Sequence, residues 1–161
     1  MSREDDFKAR MVDDVTGSPV IPTGTPLMTT LTGGVFTRAE VGREGITRAA
    51  AAAAFDTNGF LKPCALVKQR GLVPDNAIKD EETQVASSTQ VIEVYLYEDR
   101  GYTNLDAAIR RLVALFLGYR FNDSFPVEWT GLIDREQEAG ALDGASLARL
   151  DFLVRTVEDF G

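Results

Sequence analysis

Histidine is absent from the 161-residue chain, and cysteine occurs once, as Cys64. Lacking histidine, the protein has no usual general base for a serine or cysteine triad, no imidazole metal ligand and no side chain that ordinarily titrates near neutrality. A lone cysteine excludes an internal disulfide and any multi-cysteine zinc site. Cys64 follows Pro63 in an apolar run and reads as a buried small hydrophobe rather than a reactive thiol. Basic residues are also scarce: 17 Lys and Arg stand against 25 Asp and Glu, a net charge of -8. A protein that wraps nucleic acid needs the opposite balance, because Lys and Arg carry phosphate binding. No apolar run reaches the length of a membrane span, and the opening MSREDDFKAR has no hydrophobic stretch of the secretory kind. The expectation is a protein made and kept in a cytoplasm, without membrane contact.

Phosphate-binding loops are missing as well. Thr32-Gly33-Gly34 and Gly42-Arg43-Glu44-Gly45 are the nearest approaches, and neither has the spacing of a Walker or dinucleotide fingerprint. The acidic clusters Glu4-Asp5-Asp6, Asp13-Asp14, Asp80-Glu81-Glu82 and Glu98-Asp99 lack the spaced ligands and glycine of a calcium loop and read as solvated charge. No cofactor, no metal and no catalytic constellation are expected.

What is present centres on residues 88–118. Ile92, Val94 and Leu96 alternate with Val91, Glu93, Tyr95 and Tyr97, the period of a strand with both faces at least partly covered. The period then changes. Leu105, Ala108, Ile109, Leu112, Val113 and Phe116 fall on one stripe of a helix, with Thr103 placed to cap its start and Gly118 its end. Around this unit, residues 2–14 suggest a short surface helix. Residues 16–26, with three prolines and two glycines in eleven residues, suggest a break or linker. Leu27, Met28 and Leu31 suit a short helix ending at Gly33-Gly34, and Val35 and Phe36 open an irregular loop. Ala49 to Ala54 reads equally as helix or not.

Leu61 to Gln69 reads as a strand with Pro63 near its start, at an edge or as a first residue. Residues 70–87 read as a long polar loop, functional or mobile. Val127, Trp129, Gly131 and Ile133 alternate with Glu128, Thr130 and Leu132 in a further strand, and a second polar loop spans 134–146. In the closing strand Ala148, Leu150, Phe152 and Val154 oppose Arg149, Asp151 and Arg155. The fold expected is α+β: a mixed or antiparallel four-stranded sheet flanked by helices, in the order helix, strand, strand, helix, strand, strand. Residues 1–25 form an arm or short helix plus linker, and 26–161 a single domain.

One helix layer covers one sheet face. Tyr95 and Tyr97 share the other with Glu93, and amphipathic aromatics there suit either a protein interface or a second core layer. With Arg110 and Arg111 on the outer side of the helix, and with Trp129, they form the candidate interface set. Asp75, Lys79, Asp80, Glu81, Glu82, Arg135, Glu136 and Glu138, in the two polar loops, are candidates for contacting partners.

Pro26-Leu27-Met28, the run Leu31 to Phe36, Ala54-Phe55-Asp56, the run Gly59 to Val67, and above all Gln90 to Tyr97 leading into Gly101 to Ala108 resemble the tail terminator (tail completion or neck) proteins of long-tailed bacteriophages. The likeness covers roughly residues 26 to 160. It implies a hexameric ring that caps the tail tube, docks to the head connector or head-closure protein, and passes genomic DNA through its lumen without specific binding. Its place would be the virion, after assembly in the host cytoplasm, and it would catalyse nothing. Two other readings stand beside it: another head-tail joining protein, such as a head-closure or stopper ring, and a small α/β enzyme or ligand-binding domain using Glu93, Tyr95 and Arg110.

Overall fold

A computed structural model describes residues 2–15, 20–74, 85–99, 101–137 and 145–159. Its elements are α1 (Arg3–Asp13), α2 (Leu27–Thr30), β1 (Gly34–Thr37), α3 (Arg38–Val41), a 3₁₀ turn (Ala52–Ala54), β2 (Cys64–Pro74), β3 (Val85–Glu98), α4 (Leu105–Phe116), β4 (Glu128–Gln137) and β5 (Ser146–Asp159). The class is α+β as expected, but the sheet has five strands, in the order β1-β2-β3-β5-β4. The extra strand is β1, on Val35 and Phe36, where a loop was expected. Four residues are too few to show a period of two, and only the parallel pairing of Gly34 to Thr37 with Cys64 to Val67 makes them a strand. Gly33 permits it: its N–H donates to Pro63 O at 2.7 Å, and a Cβ there would lie 2.9 Å from the same oxygen.

β2 starts directly after Pro63. Its pairing with β3 continues to Pro74↔Ser88, and β3 pairs with β5 from Val85↔Asp159 to Glu98↔Ser146. Strand therefore occupies part of what reads as polar loop at 70–87 and 134–146, because ladder hydrogen bonds with a long neighbouring strand stabilise residues whose own composition is loop-like. β4 pairs with β5 at Glu128↔Leu153 and Trp129↔Phe152 and resumes at Ile133↔Leu150. Thr130, Gly131 and Leu132 are thus set against Asp151 alone, and Gly131, at φ +81°, supplies the bend.

The main core lies between one sheet face and the helices. Val35, Ala65, Val67, Ile92, Val94, Leu96, Ala148, Leu150, Phe152 and Val154 meet Leu105, Ala108, Ile109, Leu112, Leu115 and Phe116 of α4 and Phe7 and Met11 of α1. Five of the six residues its spacing predicts are buried in the α4 stripe; Val113 is only partly buried, and Leu115, which the predicted stripe left out, is fully buried. Its amino end is capped differently: Asn104 is the N-cap residue, and its N–H donates to Glu98 Oε2 at 2.9 Å, a carboxylate delivered by the end of β3 in place of the Thr103 hydroxyl. Gly118, at φ +79°, follows the last turn as expected.

The amino-terminal helix exists but is no surface helix. Phe7 and Met11 are fully buried, and Phe7 stacks on Phe116 with ring centroids 4.2 Å apart. Arg3 clamps Asp123 with two bonds of 2.8 and 2.9 Å, and Arg10 donates to Leu115 O at 2.8 Å. Two apolar residues among many charges understate a helix that is held as much by arginine bonds as by burial.

A second, smaller core covers part of the opposite sheet face. Cys64, Leu66, Tyr97 and Leu147 lie under Val41, Ile46, Ala51, Ala54 and Leu61, contributed by the segment between β1 and β2. Of the alanine run, only Ala52–Ala54 is helical, as one 3₁₀ turn.

A charged strip on the second sheet face

Beyond the second core, the same face becomes polar. Lys68, Glu93 and Asp151 lie side by side across β2, β3 and β5, with Tyr95 and Arg149 in the neighbouring row. Arg70 Nη2 donates to Glu93 Oε2 at 3.1 Å and to Asp151 Oδ2 at 3.3 Å. Tyr95 OH donates to Glu93 at 3.0 Å, while Arg149 stands 3.7 Å from Glu93 and 3.3 Å from Asp151. Lys68 Nζ sits 4.8 Å above the Tyr95 ring, which stacks in turn on Tyr97.

Glu93 is buried, and burial by itself would push its pKa up. The hydrogen bonds from Arg70 and Tyr95 and the two guanidinium charges outweigh that effect, so the carboxyl is held below its ordinary range. Tyr95 moves the other way: burial, then its bond to the Glu93 carboxylate, raises its pKa. Glu93 and Asp151 thus lie among Lys68, Arg70 and Arg149, two acids against three bases, in a chain of net charge -8. Chemically this is a row of paired charges beside stacked aromatic rings.

Of the candidate interface residues, Glu93 and Tyr95 lie together in the strip, with Tyr97 beneath the second core. Arg110, Arg111 and Trp129 lie on the helix side of the sheet. Arg110 is exposed and lines an open recess of ≈ 330 Å³ with Thr23, Gly24, Ala107 and Ala114. The constellation Glu93, Tyr95 and Arg110 is therefore not assembled, since the sheet separates its members. Trp129 is half-buried against the main core, its indole N–H without a partner among the described residues.

Arg111, expected beside Arg110 on the outer side of the helix, turns inward. Its Nε and Nη2 donate to Asp14 at 2.6 and 2.7 Å, and it also donates to Thr23 O at 2.5 Å and Ile21 O at 2.6 Å. Asp14 accepts from Leu27 N and Val20 N as well. This buried pair ties the proline-rich segment 20–27 onto α4. Asp14 and Glu98, both read as solvated, are buried because each answers hydrogen-bond donors that local sequence does not reveal.

Among the loop candidates, Asp75, Lys79, Asp80, Glu81, Glu82 and Glu138 lie outside the described residues. Glu136 falls in β4, and Arg135 reaches back to Asp106 on α4. Lys68, Arg70, Arg149 and Asp151 were not candidates. The alternation of β5 signalled that Arg149 and Asp151 share a face, but their meeting with Arg70 depends on the register of three strands.

Among the described residues no cluster of acids or thiol could hold a metal ion, and no helix is long and apolar enough to cross a membrane. The chain matches no protein-family model, and no curated protein is similar to it.

Proposed function

We propose that the protein is a virion structural subunit of the tail terminator kind, assembling as a ring that caps a phage tail tube and joins it to the head connector. The observation that carries this reading is the half-covered second sheet face. Among the described residues the 41–61 segment roofs one end of it, and at the other lies a patterned strip of Lys68, Arg70, Glu93, Tyr95, Arg149 and Asp151. Charged and aromatic residues held in fixed geometry set register between protein surfaces. Acidity supports the same reading: copies with net charge -8, arranged around a lumen, present a field that repels DNA phosphates and lets a genome slide through.

The test is assembly. Sedimentation and negative-stain imaging of the purified chain should show closed rings, hexameric on the resemblance above, and the rings should bind tail tubes that lack their terminal cap. Monomers at every concentration, with no binding to tubes, would overturn the reading.

A further inference from the structure

Asn58 precedes Gly59, and no other asparagine of the chain precedes a glycine: Asn76, Asn104 and Asn122 are followed by Ala77, Leu105 and Asp123. The turn requires the glycine. Phe55 and Leu61 form an antiparallel bridge, and between them the chain reverses through a turn in which Gly59 N donates to Asp56 O at 3.0 Å and Asp56 N to Phe60 O at 2.9 Å. Gly59 sits at φ +82°, a conformation that residues with a side chain rarely adopt, and a Cβ there would lie 2.7 Å from Arg48 Nη2. Asn58 itself is exposed, and its side-chain amide has no hydrogen-bond partner among the described residues.

The residue that makes this turn also makes it labile. A glycine nitrogen has no side chain beside it to hinder attack on the preceding asparagine. We infer that Asn58 is a site of spontaneous modification, converting to isoaspartate and aspartate through a cyclic imide with the Gly59 nitrogen, at a pace set by the bonds that Asp56 makes across the turn. The inference is independent of ring assembly.

The chemistry balances without an oxidant or a cofactor. The Gly59 nitrogen gives up its proton and attacks Asn58 Cγ, so that a new C–N bond closes a five-membered ring; the bond from Cγ to the side-chain nitrogen breaks, and ammonia leaves with the proton. Water then opens the imide at either carbonyl. One opening gives aspartate, and the other gives isoaspartate, in which the main chain runs through the side chain and is one carbon longer. Either product adds one negative charge to a chain of net charge -8.

Asp56 opposes the ring closure. The N–H that must be lost is donated to Asp56 O, while Asp56 Oδ1 accepts from Asn58 N and from Phe60 N, each at 2.9 Å. Tyr102 OH donates to Oδ2 at 2.7 Å and holds the carboxylate in place. These bonds must part before the Gly59 nitrogen can turn onto Cγ. They lie at an exposed turn, where opening needs less free energy than unfolding of the core, so the modification proceeds from a chain that is otherwise folded. Once ammonia has left, the longer isoaspartyl backbone no longer matches the spacing between the groups bonded to Asp56.

The experiment follows the full chain, folded, at physiological temperature and mildly alkaline pH, where the amide proton is lost more readily. Anion-exchange chromatography should show a later-eluting species accumulating with time. Peptide mapping by mass spectrometry should place the change at Asn58, with electron-transfer fragmentation separating isoaspartate from aspartate, while Asn104 and Asn122 stay intact. Asn58→Gln, whose longer side chain does not close a five-membered imide, should abolish the late species without altering the circular dichroism spectrum. Asp56→Ala should speed conversion roughly fivefold or more, because two backbone N–H groups lose their acceptor. Tyr102→Phe, which frees one carboxylate oxygen and leaves the turn's own bonds, should speed it less. Conversion of the chain in urea with none in the folded chain would mean that the turn protects Asn58, and overturns the site. Equal conversion at Asn104 or Asn122 overturns its selectivity, and rates unchanged by both Asp56→Ala and Tyr102→Phe overturn the control by Asp56.

Discussion

Asp14 and Arg111 show how a single residue type acquires its meaning from its surroundings. Burial pushes the Asp14 carboxyl up, but the bonds from Arg111, Leu27 N and Val20 N together hold it below the ordinary carboxylate range. A carboxyl depressed in the folded state contributes stability at any pH above its unfolded value, roughly 4, and loses that contribution as pH falls through the folded value. Asp14→Asn should therefore cost about 3–5 kcal/mol at neutral pH, because it leaves a buried guanidinium unanswered. Urea titrations across pH should show the gap between variant and parent narrowing only below about pH 4. A gap that stays constant into strong acid would remove the ion pair as its cause.

The strip offers a spectroscopic test at the same scale. Tyr95 is raised partly by the Glu93 carboxylate, so Glu93→Gln should lower its ionisation midpoint in an ultraviolet pH titration. An unmoved midpoint would leave burial as the whole cause.

At the scale of elements, strands and helices are stabilised by neighbours that periodicity does not name. β1 exists because β2 lies beside it, and Gly33 allows the approach. α4 has an apolar stripe legible from its spacing, yet its first turn is capped by a carboxylate from β3. Glu98→Ala should therefore destabilise the protein by about 1 kcal/mol, the ordinary cost of a lost helix cap, and hydrogen exchange should rise at the amino end of α4. Thr103→Ala, which removes the hydroxyl that local sequence suggests as the cap, should change neither.

At the scale of the whole molecule, one sheet carries two unequal cores, one on each face. The larger core, between the sheet and the helices α1 and α4, is a complete hydrophobic layer. The second covers only part of the other face. If the proposed ring forms, it couples to this fold by mass action, because contacts made only by folded subunits add to their stability. The melting temperature should therefore rise with protein concentration and level off once rings dominate. A melting temperature independent of concentration over two decades would detach stability from assembly.

The period-two run from Val91 to Tyr97, the α4 stripe, the closing strand and the separation of core from charge on each were legible from residue order. Such patterns arise from local geometry, which repeats every two or 3.6 residues whatever the rest of the chain does. Strand length, the fifth strand and the inward turn of Arg111 were not legible. They depend on contacts between residues far apart in the chain: Asp14 meets Arg111, Glu93 meets Arg70 and stands beside Arg149, and β1 meets β2. A buried charge is tolerable only where its partner arrives, and a four-residue strand forms only where a neighbour pairs with it. Both are properties of the packed chain, which is why the charged strip, on which the proposed assembly rests, became visible only in three dimensions.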